Sequence, residues 1–277
     1  MPDTTSITSP IESLLVGKVR CDYIRPSDFV DLCAQWIKGG TFKHVVTLNP
    51  EMVMQAEKYP DFTEALAKAD IRVPDGAGLI WARWFLRSNF WSLWPSLFAF
   101  PFIESERVTG VDSIMEIARL CEQTQQVIFL LGGTEWQANK TAALLRRKFP
   151  RLEVKSLGGH VYDIDGPADI IKSINEAQPA ALLVAYGSPK QTLWIERHRR
   201  DLPSVKIAIG VGGAFAILSE QRRRAPHWIR RMNAEWLWRL WLEPTRFQRI
   251  FKATVSFPIL VASQKKMRED WPNRDLS

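Results

Sequence analysis

Cysteine is scarce in this chain, and what there is of it is scattered. Cys21, Cys33 and Cys121 form no CxxC pair and no metal-type cluster, which excludes a disulfide framework and reads as structural thiols in a reducing compartment. The four histidines, His44, His160, His198 and His227, have no ligand spacing among them. No turn spells GxGxxG or GxxxxGK[ST], so the dinucleotide fingerprint and the P-loop are both missing and a nicotinamide dehydrogenase is disfavoured. A GxSxG nucleophile elbow is absent as well. Long hydrophobic runs are also wanting: the most apolar stretch, Asn89 to Ile103, is too short to span a bilayer and is broken by Pro95 and Pro101. The start of the chain is rich in Ser, Thr and Pro without the basic and apolar regions of a leader, so a loose N-terminus over residues 1–20 and no signal peptide are expected.

What is present fits a globular α/β protein. Of the 277 residues 46% are hydrophobic and 24% charged, enough apolar material to bury a full core. The net charge of +7 is unevenly placed: residues 1–220 carry 24 basic against 25 acidic side chains, whereas 221–277 carry 13 against 5. Five of the 12 tryptophans, Trp228, Trp236, Trp238, Trp241 and Trp271, lie in that same basic tail. A tail of this kind can meet nucleic acid, an anionic membrane surface or a phosphorylated ligand. Tryptophan mixed with arginine on helices favours the membrane interface, where the indole sits at headgroup depth. The reading is a core over 21–220 and a basic helical appendage over 221–277.

Within the core, strand, glycine turn and helix recur. Strands are expected at Phe42 to Asn49, Ile71 to Pro74, Gln126 to Leu131, Leu152 to Leu157, Ala180 to Tyr186 and Val205 to Ile209. Several are near-continuous apolar runs, the mark of parallel strands buried on both faces. Helices are expected from Phe29 to Ile37, Asp112 to Cys121, after Thr134, from Pro167 to Ala177, and from Lys190 to Arg200. This alternation predicts an α/β fold, a Rossmann-like parallel sheet flanked by helices. An aromatic insertion near 81–103, including Trp81, Trp84, Phe85, Trp91, Trp94 and Phe98, either packs over the core or lies in a bilayer interface.

Chemistry is expected where strands end. Asp75 follows the strand Ile71 to Pro74 and precedes Gly76 and Gly78, and in an open α/β sheet ligands sit at the carboxyl ends of strands; the plainer reading is a helix cap. Thr47 and Asn49 fall at a second strand end. Arg107, just past the aromatic stretch, suits a bidentate hold on phosphate, or is a solvated surface arginine. Glycine turns at Gly132 and Gly133, at Gly187, and at Gly210 to Gly213 let backbone N–H groups approach phosphate and point to a nucleotide or sugar-nucleotide ligand. Lys190 and Gln191, in the first turn after Gly187, offer that ligand a charge and an amide, or are solvated. Arg239, Arg246 and Arg249 recur at i, i+7 and i+10, one helical face that could clamp a diphosphate or simply face water. Asp163-Ile164-Asp165 has the form of a metal-holding DxD element but leads into a helix that Asp165 would cap, so no metal is expected.

Seven motifs in one order resemble the WecG/TagA/CpsF bacterial glycosyltransferases: Thr47-Leu48-Asn49-Pro50-Glu51, Pro74-Asp75-Gly76-Ala77-Gly78, Glu106-Arg107-Val108-Thr109-Gly110, Leu130-Leu131-Gly132-Gly133, Gly187-Ser188-Pro189-Lys190-Gln191, Gly210-Val211-Gly212-Gly213, and Glu235-Trp236-Leu237-Trp238-Arg239-Leu240 with Glu243-Pro244-Thr245-Arg246. The resemblance implies an inverting, metal-independent transfer of a sugar from a UDP-sugar to a sugar carried on a polyprenyl diphosphate, at the cytoplasmic face of the membrane and without a cofactor. It implies Asp75 as general base, with Thr47 and Asn49 in the same pocket, and Arg107 steadying the leaving diphosphate. Arg239, Arg246 and Arg249 match the family's C-terminal appendage, which covers the nucleotide and docks on the membrane. Cell-surface polysaccharide or teichoic acid is the product this implies. Nucleic acid is not among the implied partners, and a homo-oligomer with its apolar surfaces turned inward is left open. The aromatic stretch 81–103 is longer than the family leads one to expect. Readings from other classes are a basic nucleic-acid-binding protein, which would show a steep salt dependence, and a non-catalytic membrane scaffold.

Overall fold

A computed structural model describes residues 10–89, 108–159, 168–226, 229, 232, 234–247 and 251–270. The chain opens on a hairpin, β1 (Glu12–Val16) and β2 (Val19–Tyr23), paired antiparallel around the two-residue loop Gly17-Lys18. This differs from the loose start expected through residue 20. Val16, Val19, Cys21 and Tyr23 are buried against the helical layer, and Gly17, at φ 58°, takes a left-handed turn in which a Cβ would lie 2.5 Å from Glu57 Oε1.

Six further strands form one parallel sheet in the order β4-β3-β8-β7-β5-β6: β3 (Lys43–Leu48), β4 (Ile71–Pro74), β5 (Ile128–Gly132), β6 (Val154–Leu157), β7 (Ala181–Ala185) and β8 (Ile207–Gly210). The period of two sorts their side chains. Val45, Ile128, Leu130, Leu183 and Ile209 bury on one face, packed by α1 (Pro26–Gly39), α5 (Gly110–Gln123), α6 (Glu135–Lys148) and α9 (Ala214–Leu218). Val46, Leu48, Phe129, Leu131, Leu182 and Val184 bury on the other, beneath α2 (Pro50–Lys58), α3 (Pro60–Lys68), α4 (Ala77–Arg87), α7 (Ala168–Ala177) and α8 (Lys190–Arg197). Apolar side chains on both strand faces are what a sheet covered on both sides requires, so the expected Rossmann-like fold is observed.

Edge strand β4 is covered by the hairpin through the buried pair Asp22–Arg72, in which Asp22 Oδ2 accepts from the Arg72 amide and from Arg72 Nη2, both at 2.9 Å. Arg72 Nη1 donates to the carbonyls of Leu66 and Ala69 at 3.0 and 2.8 Å, so the guanidinium is well hydrogen-bonded despite its burial. Such cover keeps the open edge from pairing with another chain.

The C-terminal stretch holds α10 (Glu235–Leu242), a 3-10 turn at Pro244–Arg246, and α11 (Phe257–Asp270) entered through a π-helical turn at Lys252–Ser256. Phe257 and Val261 are buried in one cluster with Met52, Val53, Trp81 and Phe85. Gln264 donates to the Leu15 carbonyl at 2.8 Å and accepts from the Gly17 amide at 2.9 Å, and the buried Lys265 ammonium donates to the carbonyls of Phe85 and Ser88 that close α4. The expected helical C-terminal appendage is thus present, and its last helix, α11, docks on the core through Phe257 and Val261. Among the described residues no helix is long and apolar enough to cross a membrane.

Candidate functional site

Helices leave the sheet in opposite directions at its centre. After β3 and β7 the chain turns to one face, as α2 and α8; after β8, which lies between them, it turns to the other, as α9. The divergence opens a crevice above the carboxyl ends of these strands, where open α/β sheets bind ligands.

Three of the expected residues converge on its rim. Thr47, nearly buried at the end of β3, donates its hydroxyl to the Gly210 carbonyl at 2.9 Å. Asn49 caps α2, its Oδ1 accepting from the Met52 amide at 3.0 Å. Because Leu48 pairs with Pro74, Asp75 leaves the sheet beside Asn49, and the Asp75 amide donates to the Leu48 carbonyl at 2.6 Å. The two tips are pressed together: a Cβ on Gly78 would fall 2.7 Å from Pro50 Cγ. Gly76, at φ 122°, holds the N-cap position of α4, so half-buried Asp75 lies one residue before the place from which an aspartate caps a helix.

Gln191 ties the next two strand ends together. Its Oε1 accepts from the amides of Gly187 at 3.1 Å and Gly212 at 3.0 Å, and the side chain is buried against Gly210, where a Cβ would lie 2.4 Å from Nε2. The amide expected to meet a ligand thus shapes both turns, while the sites of a Cβ on Gly187 and Gly212 face open space. Lys190 lies at the exposed start of α8. Gly132 and Gly133 form the corner after β5: a Cβ on Gly132 would meet the Tyr186 ring at 2.7 Å, and one on Gly133 would meet Gln137 Oε1 at 2.8 Å.

The run Arg222-Arg223-Arg224 lies within the basic stretch 221–277. In the structure Arg222 reaches back to the central turn, its Nη1 lying 3.0 Å from where a Cβ on Gly213 would stand, while its Nε pairs with Glu243 Oε1 at 2.6 Å. Arg224 Nη2 binds both carboxylate oxygens of Asp112, at 3.0 and 3.1 Å, and Trp238 Nε1 donates to the Arg223 carbonyl at 3.2 Å. A run without periodicity carried no signal for these roles. Arg107, Arg249 and Asp163–Asp165 lie outside the described residues, as do the side chains of Arg239 and Arg246. Of the aromatic stretch, residues 81–89 are described: Trp81 and Phe85 stack at 5.2 Å inside the core and Trp84 is exposed, while 90–103 lie outside the description. Among the described residues no three His, Cys, Asp or Glu side chains are grouped so as to hold a metal ion.

Two perturbed acid–base groups, His44 and Asp70, lie at the opposite end of the sheet, where β3 and β4 begin. His44, fully buried at the start of β3, meets Glu196 Oε1 through Nδ1 at 2.5 Å, and burial outweighs this partner to hold the imidazole below its ordinary pKa. Partial burial pushes Asp70 up, but the His44 amide, Lys43 and Arg199 together hold its carboxyl below the usual range. Burial also raises the thiols of Cys21, Cys33 and Cys121, the last to about 12, which keeps all three protonated and unreactive.

The strand ends at the centre of a doubly wound sheet, carrying Asp75, Thr47, the helix cap Asn49 and glycine corners, have the layout of an α/β ligand-binding protein. Comparison with known proteins gives the family: residues 14–270 match the model described as Glycosyl transferase WecG/TagA/CpsF family, and the chain belongs to it and is a glycosyltransferase. It is 25% identical over 225 residues to an N-acetylglucosaminyldiphosphoundecaprenol N-acetyl-beta-D-mannosaminyltransferase of Staphylococcus aureus (strain MRSA252), covering 81% of this chain and 82% of the relative. Enzymes of the same name from Bacillus subtilis (strain 168) and Bacillus spizizenii are 26% and 28% identical, the former over 82% of both chains and the latter over 74% of both.

Proposed function

We propose that this glycosyltransferase moves a sugar from a UDP-sugar to a sugar carried on a polyprenyl diphosphate, with inversion and without a metal ion, in the synthesis of a cell-surface polymer. The names of the relatives, which specify an N-acetylglucosaminyl diphosphoundecaprenol acceptor and an N-acetyl-beta-D-mannosaminyl group, support the acceptor class. The observation that supports the mechanism is the register of β3 against β4, in which the backbone of Asp75 leaves the sheet beside Asn49, one strand from the Thr47–Gly210 contact.

In this mechanism Asp75 takes the proton of the acceptor hydroxyl as that oxygen attacks the anomeric carbon from the face opposite the nucleotide. The bond from that carbon to the β-phosphate oxygen breaks, and UDP departs with the electron pair. Arg107 stabilises the negative charge that develops on the diphosphate, and Arg239, Arg246 and Arg249 close over it, doing the work a divalent cation does elsewhere. Thr47 and Asn49 line the acceptor side. The glycine corners at Gly132, Gly133, Gly187 and Gly213 let the nucleotide lie against the backbone, with Lys190 and Gln191 at its margin.

The exposed side chains Trp236, Leu237, Trp241, Phe247, Phe251 and Ile259 support peripheral attachment to the cytoplasmic face of the membrane, where aromatic rings settle at headgroup depth. The test is incubation with a lipid-linked acceptor and a panel of UDP-sugars, following UDP release. One UDP-sugar should give acceptor-dependent release that persists in EDTA, and Asp75→Asn should abolish it while leaving UDP-sugar binding nearly intact. A fully active Asp75→Asn protein removes Asp75 from the base role; release that stops in EDTA and returns with a divalent ion overturns the metal-free step.

A further inference from the structure

We propose that Arg222 is a phosphate-binding residue of the donor site and that Glu243 is its positioning residue, so that the contact fastening the end of α10 to the core also aims a guanidinium at the central glycine turn. The inference rests on the nucleotide-diphosphate reading given above and adds to it a cation from the core side of the crevice, distinct from the arginines of the C-terminal helical face.

Three contacts fix the arrangement. The Arg222 amide donates to the Ala216 carbonyl at 2.8 Å, which turns the chain back immediately after α9 and starts the side chain near the turn it has just left. Nη1 then lies over Gly213, so close that a Cβ there would come within 3.0 Å of it. Nε donates to Glu243 Oε1 at 2.6 Å, which sets the plane of the guanidinium. Neighbouring Gly212, at φ 52°, has open space on its Cβ side, so a ligand laid against the turn would meet backbone and guanidinium together. The Arg222 side chain retains 24% of its exposure and that of Glu243 27%, so the pair reaches solvent and is not sealed in the core.

The chemistry favours phosphate. A guanidinium offers five N–H donors in a fixed fork, which matches the oxygens of a phosphate, and the ion pair with Glu243 holds that fork in orientation. Glu243 also lowers the net charge of the pair, which holds Arg222 in place without drawing anions indiscriminately. Because Glu243 directly precedes the turn Pro244–Arg246, the bond that orients Arg222 also sets where the cationic C-terminal stretch begins.

The test is titration of the full-length protein with UDP and with UMP, which differ by the β-phosphate. Arg222→Gln should weaken UDP binding about tenfold to a hundredfold, the range of a lost charge-assisted contact, while changing UMP binding far less. Glu243→Ala should weaken UDP binding several-fold, and Glu243→Gln, which retains an oxygen to accept from Nε and removes the charge, should restore or exceed wild-type affinity. Should Arg222→Gln fail to fold, Arg222→Lys decides, since it keeps the charge but not the fork and should still narrow the gap between UDP and UMP. A folded Arg222 variant with the wild-type UDP to UMP ratio overturns the assignment and leaves the donor reading standing; a wild-type protein that binds no UDP overturns both.

Discussion

The hydroxyl of Thr47 donates to the carbonyl of Gly210 at 2.9 Å, joining the end of β3 to the turn that follows β8. The contact spans 163 residues of sequence and holds the end of β3 and the central glycine turn at a fixed spacing. Thr47→Val keeps the shape and removes the donor, leaving a buried carbonyl unpaired at a cost of about 1–3 kcal/mol. Urea unfolding should show that loss and sugar transfer should fall with it, whereas Thr47→Ser should retain most of both. An unchanged urea midpoint in Thr47→Val would argue that the bond holds nothing in place.

Gln191 makes the corresponding link between the turns after β7 and β8, accepting from Gly187 and Gly212. Gln191→Leu removes the acceptor of two amides at once and should cost about 1–3 kcal/mol for each amide left without a partner. Gln191→Glu keeps an oxygen in position and should stay closer to wild type. Thermal melting of the two variants checks the order, and a leucine variant as stable as the glutamate one would refute the shared-acceptor role.

Acid should destabilise the fold through His44. Burial lowers its folded pKa from an ordinary 6.5, although Glu196 and Asp70 pull upward, while Arg199 adds to the lowering. The unfolded chain therefore takes up a proton that the folded one refuses. Stability is complete above about pH 6.5 and falls as pH drops toward the folded pKa, by at most about 1.4 kcal/mol per pH unit for one proton. The depressed Asp70 acts in the same sense lower down, below its ordinary 3.8. Unfolding free energies at pH 7.5, 6.5 and 5.5 should decline in that order for the wild type and less steeply for His44→Gln; parallel slopes would exclude His44 as the source.

The last helix should prove indispensable to the core. A chain ending at residue 250 loses Phe257 and Val261 from the cluster around Trp81 and Phe85, about 1.5–3 kcal/mol for each buried side chain, together with the Gln264 bonds to the hairpin. Its melting temperature should drop by many degrees, and Lys265→Ala should reproduce part of the loss because the carbonyls of Phe85 and Ser88 lose their shared donor. A truncated protein that melts with the full chain would make α11 a mere attachment.

Much of the layered core was legible because its signals are local. The apolar runs Ile128 to Leu131 and Ala181 to Val184 announce buried strands, Pro50 and Asn49 mark a helix start, and glycines mark the corners between them. The hairpin was harder to read: Leu14, Leu15 and Val16 break strict alternation with an exposed Leu15, and the short loop Gly17-Lys18 becomes a hairpin signal only once Glu57 and Gln264 enclose it. The C-terminal helix was masked by its own composition. Basic residues and tryptophans around it suggested a separate surface element, while the two side chains that dock it, Phe257 and Val261, are unremarkable in a line of letters.

By itself the sequence determined the kind of sheet, the strand ends that carry polar groups and, through seven ordered motifs, the family, because each depends on residue type and spacing along a few turns of chain. Which strand end lies beside which was decided only by tertiary structure. The register of Leu48 on Pro74 brings Asp75 to Asn49, the central place of β8 hands Gly210 to Thr47, and the return of the chain after α9 lays Arg222 over Gly213. The first two pairings span tens to more than a hundred residues and follow from burying both faces of one sheet at once, a constraint that no local window of sequence contains; the third is close in sequence but needs the turn fixed by the Arg222 amide on the Ala216 carbonyl.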